Sequence, residues 1–173
     1  MGKTTAALAV LRSLLHKGNS TVIALKATGT SSVVELFHYH DFGANQSFDC
    51  IDFGLPTTYP SERDGISAVF DRALDVCLSI PSNAVLVECG GDILGANVPV
   101  FLQRLSRRRT AMKVVLAASD ALAAMGARQV LRDMGIPVDL ITGPCTDTPT
   151  LQQRTQAVCE TPAMNMARGP ASD

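Results

Sequence analysis

The chain has almost no excess of charge of either sign. Fifteen Lys and Arg stand against 16 Asp and Glu, for a formal net charge of −1, and the isoelectric point is near 6.3. No global positive field is available to attract nucleic acid or an anionic membrane. The single basic run, Arg107-Arg108-Arg109, reads as a solvated face at the end of a helix. A C-x-x-C pair is also lacking. The five cysteines, Cys50, Cys77, Cys89, Cys145 and Cys159, are odd in number and widely spaced, which excludes the usual zinc and dithiol patterns and leaves reduced, mostly buried thiols. No apolar run approaches the roughly 20 residues of a membrane span, and only Lys3 precedes the apolar N-terminal stretch, unlike a secretory leader. No repeat or interdomain linker is visible. What remains is the profile of a cytoplasmic chain, with residues 1–173 expected to form a single domain.

What is present is enough apolar material for one sizeable core: 46% hydrophobic residues in 173 and a mean hydropathy of +0.18. Ala7, Leu8, Leu11, Leu14 and Leu15 recur at helical spacing over residues 4–17, with Gly18 as the stop. The run Thr21–Leu25 reads as a buried parallel strand ending near Lys26. A helix follows from an N-cap at Ser31 or Ser32 to about His40, stopped by Gly43. Asp49–Phe53 is expected to be a strand, 54–61 a loop, and Ile66–Leu78 a helix ended before Pro81. Asn83–Cys89 gives a strong strand signal, then a helix over Val98–Arg107, a strand at Lys113–Ala118, and a helix capped by Ser119 or Asp120 that runs to about Met134. Val138–Thr142 is the last strand, before the loop 143–149, a helix at about 150–159 and a short segment Ala163–Met166. Apolar strands alternating with amphipathic helices predict an α/β fold with a doubly wound parallel sheet. In such sheets ligands sit beyond the carboxyl ends of the strands, where 26–30, 52–59, 88–92 and 142–148 all fall.

The segment Gly2-Lys3-Thr4-Thr5 opens the first helix. It supplies the end of the phosphate-loop pattern G-x-x-x-x-G-K-[ST] without its first five positions. At a helix N-terminus, backbone N–H groups and the helix dipole attract phosphate; Lys3 would reach the β and γ phosphates and the Thr4 hydroxyl would bind Mg²⁺. An ordinary capped helix is the plainer alternative. Glu88 ends the apolar run Ala84–Val87, where a carboxylate is costly to bury without a cation or donors. Lys26 and Asp52 end two other predicted strands, with Asp49 and Asp92 as alternatives to Asp52. His38 and His40, two apart on a helix, point in different directions and do not suit chelation. Thr57, Thr58 and Tyr59 lie in a proline-flanked loop above these strand ends and are either substrate contacts or an ordered crossover.

In GKTTAALAVLRSLLHKG, VIALKATGT, LVECGG and ITGPCTDT, taken in order, the chain resembles the P-loop ATPases related to dethiobiotin synthetase, including cobyrinic acid diamide synthetase-like domains, over most of residues 2–166. The resemblance implies a P-loop three-layer sandwich truncated within the phosphate loop, with the first strand missing. It further implies ATP and Mg²⁺ as cofactors, and an enzyme that phosphorylates a carboxylate or carbamate so that an amine can attack the activated carbon. Lys26 would hold the substrate and the transferred group with Thr30 four residues on, and Glu88 and Asp52 would serve the metal with Thr4. Gly143 and Pro144 would contact the nucleotide together with Gly2, Lys3, Thr4 and Thr5. The chain departs from the family at Glu88-Cys89-Gly90-Gly91-Asp92, one residue shorter than the family's Glu-Gly-x-Gly-Gly and with an added acid. The expected partners are a nucleotide and a small carboxylate- or amine-bearing substrate, neither nucleic acid nor membrane, with homodimer formation left open.

Two other classes are compatible with the same residues. One is a GTP-dependent accessory or switch protein for cofactor assembly, resembling the molybdopterin-guanine dinucleotide accessory proteins; the lack of an N-K-x-D guanine motif favours ATP. The other is a non-catalytic truncated remnant. A first strand of this fold would lie near the middle of the sheet, so its loss is expected to leave unpaired backbone and an apolar gap. An N-terminally extended form supplying that strand should therefore unfold at a higher temperature than the 173-residue chain; equal midpoints in scanning fluorimetry would count against a missing strand.

Overall fold

The structure, a computed structural model, describes residues 2–16, 20–59, 65–108 and 110–167. It is an α/β fold in which every strand pairing between named strands is parallel. The chain divides into two compact units, one drawn from Met1–Ala9 and Thr110–Asp173, the other from Val10–Arg109. Instead of one continuous sheet, there are two ladders.

The larger unit carries β1 (Val22–Thr28), α2 (Val33–Asp41), β2 (Gln46–Asp49), α3 (Ile66–Ser79), β3 (Ala84–Cys89) and α4 (Val98–Ser106), and α1 (Lys3–Leu15) runs into it. Its strands lie in the order β2-β1-β3. β1 is buried along its whole length because it is paired on both edges. Its side chains alternate between two faces. Ile23, Leu25 and Ala27 enter an apolar core with Phe70, Ala73, Leu74 and Cys77 of α3 and Phe101 of α4. Lys26 belongs to the opposite face, where α2 lies: its ammonium pairs with Glu35 of that helix. Helices therefore cover both faces of this sheet.

Phe70 and Phe101 meet edge to face, with ring centroids 5.3 Å apart at 88°, the geometry that ring quadrupoles favour. Outside this pair, Asp71 accepts from Arg104 Nε at 3.0 Å and from Arg108 Nη2 at 2.9 Å, and Arg108 also reaches Asp75. Arg108 of the basic run thus clamps α4 to α3. Arg107 is exposed, as a solvated face requires, and Arg109 lies outside the described residues.

The smaller unit pairs β4 (Val115–Ala117) with β5 (Leu140–Thr142), beside α5 (Ala121–Asp133) and α6 (Pro149–Cys159). Its core joins Ala118, Ala124, Ile141, Cys145, Cys159 and Ala163. Asp120 caps α5 by accepting the Ala123 N–H at 2.9 Å, and Thr148 caps α6 by accepting from Leu151 at 3.2 Å.

One predicted element changes type. Asp49–Phe53 is not a strand: β2 ends at Asp49, and Cys50–Phe53 form a 3-10 turn. The cause is a reciprocal cap, with the Asp49 carboxylate accepting from the Cys50 N–H and the Asp52 carboxylate accepting from the Asp49 N–H at 2.8 Å. The alternating pattern read as a strand is one turn of tight helix. β1 runs two residues past Lys26, and β4 and β5 are shorter than expected. The Gly18 stop lies outside the described residues. All five cysteines are free and all but Cys89 are buried. Among the described residues no helix is long and apolar enough to cross a membrane.

Phe101→Ala should cost about 3–5 kcal/mol, because it removes both the ring and its partner's edge contact. Urea denaturation of the variant checks this; a loss below 1 kcal/mol would mean that Phe101 is not a core residue.

Candidate functional site

In the larger unit, strand register gathers the ionisable residues. Lys26 of β1 is paired in register with Asp49 of β2 on one side and Glu88 of β3 on the other. Residues directly opposite in a sheet share a face, so Asp49, Lys26 and Glu88 form one row near the carboxyl ends of the strands. All three are buried, at 0, 6 and 6% exposure respectively. α2 lies over this row and supplies the partners. Glu35 binds the Lys26 ammonium, and the Tyr39 hydroxyl donates to Glu88 Oε2 at 2.5 Å. Glu35 and Tyr39 are four residues apart, hence on one side of the helix.

Asp49 is held by donors at the N-terminus of α2. The Ser31 hydroxyl and the Ser32 N–H each donate to its Oδ2 at 2.9 Å, and the Cys50 N–H donates to Oδ1 at 2.5 Å. Ser32 is the N-cap, as the sequence suggested, but its side chain makes no cap bond; the carboxylate of Asp49 satisfies its backbone instead. Burial pushes the Asp49 carboxyl up, and the hydrogen bonds from Cys50, Ser32 and Ser31 outweigh it, holding the group below its ordinary range. The adjacent Cys50 thiol is pushed up to about 12, by burial first and then by its hydrogen bond to Asp49 and that group's charge. Tyr39 is raised far above the usual phenol range by burial, then by the charge and hydrogen bond of Glu88. Tyr39 is thus a fixed donor and Asp49 a fixed anion at neutral pH.

Beyond the row the strand ends are stitched to a loop. Gly90 lies so close to β1 that a Cβ there would be 2.4 Å from the Thr28 carbonyl oxygen, so only glycine fits. The Gly90 N–H donates to that oxygen at 3.0 Å, and the Thr28 hydroxyl donates back to the Gly90 carbonyl at 2.9 Å. Thr58 is fully buried; it accepts from the Gly29 N–H at 2.8 Å and donates to the Ala96 carbonyl at 2.6 Å. Thr57 bridges Thr30, whose exposed hydroxyl lies 3.4 Å from that of Thr57. Ala96 and Asn97 both adopt left-handed backbone, with φ of 51° and 58°, a cost of about 1–3 kcal/mol each that their surroundings must offset.

Asp52 is exposed and caps the turn after β2, while Asp49 takes the place in the row. Asp92 folds back on its own loop, accepting from the Leu94 and Gly95 N–H groups at 2.9 and 2.7 Å. His38 and His40 are exposed. Sequence reasoning missed Glu35 and Tyr39. Their one sequence signal is the i, i+4 spacing of an acid and a phenol, which does not say that this side of the helix meets Lys26.

The smaller unit holds the other candidate residues. Gly2, with φ of +82°, precedes α1, and a Cβ there would lie 3.4 Å from the Gly143 Cα and 3.7 Å from the Pro144 Cδ. Gly143, with φ of +94°, would place a Cβ 2.8 Å from the Ala118 carbonyl oxygen. Gly2, Gly143 and Pro144 are therefore brought together at the first turn of α1, next to Lys3, Thr4 and Thr5. A helix N-terminus with a lysine in its first turn is the kind of element that attracts a phosphate group. Among the described residues no His, Cys, Asp or Glu side chains are grouped in threes to hold a metal ion.

Asp49→Asn should lower stability at pH 7 by about 1–3 kcal/mol, since its donors lose a charged acceptor. Because the folded-state pKa is depressed, the contribution is full above the unfolded value of about 3.9 and is lost as pH falls through the lower folded value. The gap between parent and variant in urea melts should accordingly narrow under acid; a gap independent of pH would show that Asp49 is not a stabilising anion.

The chain matches no protein-family model and no curated protein, so the roles of these residues rest on their own chemistry.

Proposed function

We propose that the chain is an Mg-ATP-binding protein with a fold of the P-loop three-layer type, working in the cytoplasm, and that the N-terminus of α1 receives the phosphates. What supports this reading is that Gly2, Gly143 and Pro144 lie together at a helix start that carries Lys3 in its first turn. The helix dipole and the ammonium of Lys3 act together on a polyphosphate. Thr4 and the phosphate oxygens would hold Mg²⁺, which supplies charge neutralisation when bound.

The finer reading is an enzyme that uses ATP to activate a carboxylate or carbamate for attack by an amine. Lys26, Thr30 and Glu88 carry it by the resemblance, with Asp49 filling the place expected of Asp52. Lys26 is held by Glu35. It would serve a substrate by exchanging that carboxylate for the substrate's own, which keeps the buried ammonium paired throughout. Glu88, fixed by Tyr39, offers a second carboxylate on the same face.

Calorimetric titration with Mg-ATP, followed by a phosphate-release assay, tests both levels. Lys3→Ala should weaken ATP binding at least about tenfold, the loss of one charge-assisted contact. The double variant Lys26→Met/Glu35→Gln, which removes the ion pair without leaving either charge alone, should bind ATP as the parent does and lose substrate-dependent phosphate release. ATP affinity unchanged by Lys3→Ala would remove the phosphate site, and parental turnover in the double variant would remove the role of Lys26.

A further inference from the structure

The smaller unit contains a second concavity, at the opposite end of β5 from Gly143. It has a volume of about 410 Å³ and is lined by Arg128, Arg132, Ile136, Val138, Glu160 and Pro162 among others, within the range of roughly 300–1,000 Å³ typical of small-molecule sites. Three chain segments build it: the last turns of α5, the residues after α6, and the segment leading into β5. The bridge between Ile141 and Ala163 sets the last two side by side.

The lining charges are two guanidiniums and one carboxylate. Arg128 and Arg132 stand one turn apart on α5 and so share a face. Neither guanidinium has a hydrogen bond or ion pair to a side chain among the described residues, and Glu160 is not paired to either. Arg132, in the last turn of α5, is accounted for in part by the helix dipole; Arg128 is not. Glu160 is less expected still. It is the residue that ends α6, with φ of 48° and ψ of 36°, a left-handed position where glycine is the unstrained choice. A glutamate there costs about 1–2 kcal/mol of backbone strain and sets a carboxylate on the cavity wall. It also sits at a helix C-terminus, whose carbonyl groups favour a cation. Between the charged groups the wall is apolar: Ile136, Pro137, Val138 and Pro162.

From this arrangement we infer that the cavity binds a small amino dicarboxylate: carboxylates on Arg128 and Arg132, ammonium on Glu160, and methylenes against Ile136, Val138 and the prolines. The net charge of the wall, +1 from two arginines and one glutamate, complements such a ligand at −1. Guanidinium groups bind carboxylates through paired N–H donors, and the ligand's ammonium would pair with the Glu160 carboxylate. A ligand bearing only negative charge would meet Glu160 unfavourably. A ligand bearing only positive charge would meet both arginines. The site is independent of the proposed nucleotide site.

Titration calorimetry of the full chain with L-glutamate, glutarate and inorganic phosphate tests the inference, without Mg-ATP. L-Glutamate should bind, with Kd at or below about 1 mM. Glutarate, lacking the ammonium, should bind at least about tenfold more weakly, and Arg128→Gln and Arg132→Gln should each cost L-glutamate at least about tenfold. Arg128 anchors the fold by no side-chain bond, so Arg128→Gln should keep the parental thermal midpoint, while Arg132→Gln should lower it only by the small helix-dipole contribution. Glu160→Gly supplies a readout in the opposite direction: it should raise the midpoint by relieving the left-handed backbone while abolishing the preference for L-glutamate over glutarate. No binding of L-glutamate by the parent overturns the inference. So does phosphate or glutarate binding as tightly as L-glutamate, or a preference that survives Glu160→Gly.

Discussion

A lysine on the central strand of a buried sheet must keep its charge paired, and the architecture of the larger unit follows from that constraint. Removing an ammonium from water costs several kcal/mol, yet Lys26 is only 6% exposed. The register sets Asp49 and Glu88 on either side of it, and α2 supplies Glu35 directly. Each added carboxylate then needs its own donors. Tyr39 serves Glu88, and Ser31, Ser32 and Cys50 serve Asp49. The polar network thus fixes where α2 begins, which side it presents to the sheet, and where β2 turns into a 3-10 helix.

The two faces of β1 do different work. On one, Ile23, Leu25 and Ala27 meet the aromatic and aliphatic side chains of α3 and α4 in a dry core; this face supplies most of the favourable free energy of folding, through apolar burial. On the other, charged groups give less net stability and more definition, since a shifted register would strand Lys26 away from its partners. The close approach at Gly90 and the threonine ties at Thr28 and Thr58 belong to the same economy of space. They bring strand ends and loop near enough that backbone groups, and not only side chains, line the carboxyl edge.

Much of the fold was legible because its signals are local. Period and punctuation placed α1 through α6 and β1, β3, β4 and β5 close to where they lie, with Ser32, Asp120 and Gly43 marking ends. The failure at Asp49–Phe53 has a specific cause: alternation over four or five residues cannot distinguish a strand from a tight helical turn when an Asp-x-x-Asp cap closes it. Of the candidate residues, Lys26 and Glu88 were visible as charges ending apolar runs. Glu35 and Tyr39 were not, because nothing local says which residues of a helix will face which residues of a strand.

The amino-acid sequence by itself determined the α/β alternation, the neutral overall charge, and the presence of Gly2-Lys3-Thr4-Thr5 at a helix start, all properties of neighbours along the chain. Only the tertiary structure decided that Asp49, rather than Asp52, stands level with Lys26 and Glu88, because register is a relation between strands. It also decided that the strands form two parallel ladders, that Gly2 meets Gly143, and that Arg128, Arg132 and Glu160 share one cavity wall. These pairings join residues far apart in the chain. They are selected by the packing of whole elements, which local periodicity does not encode.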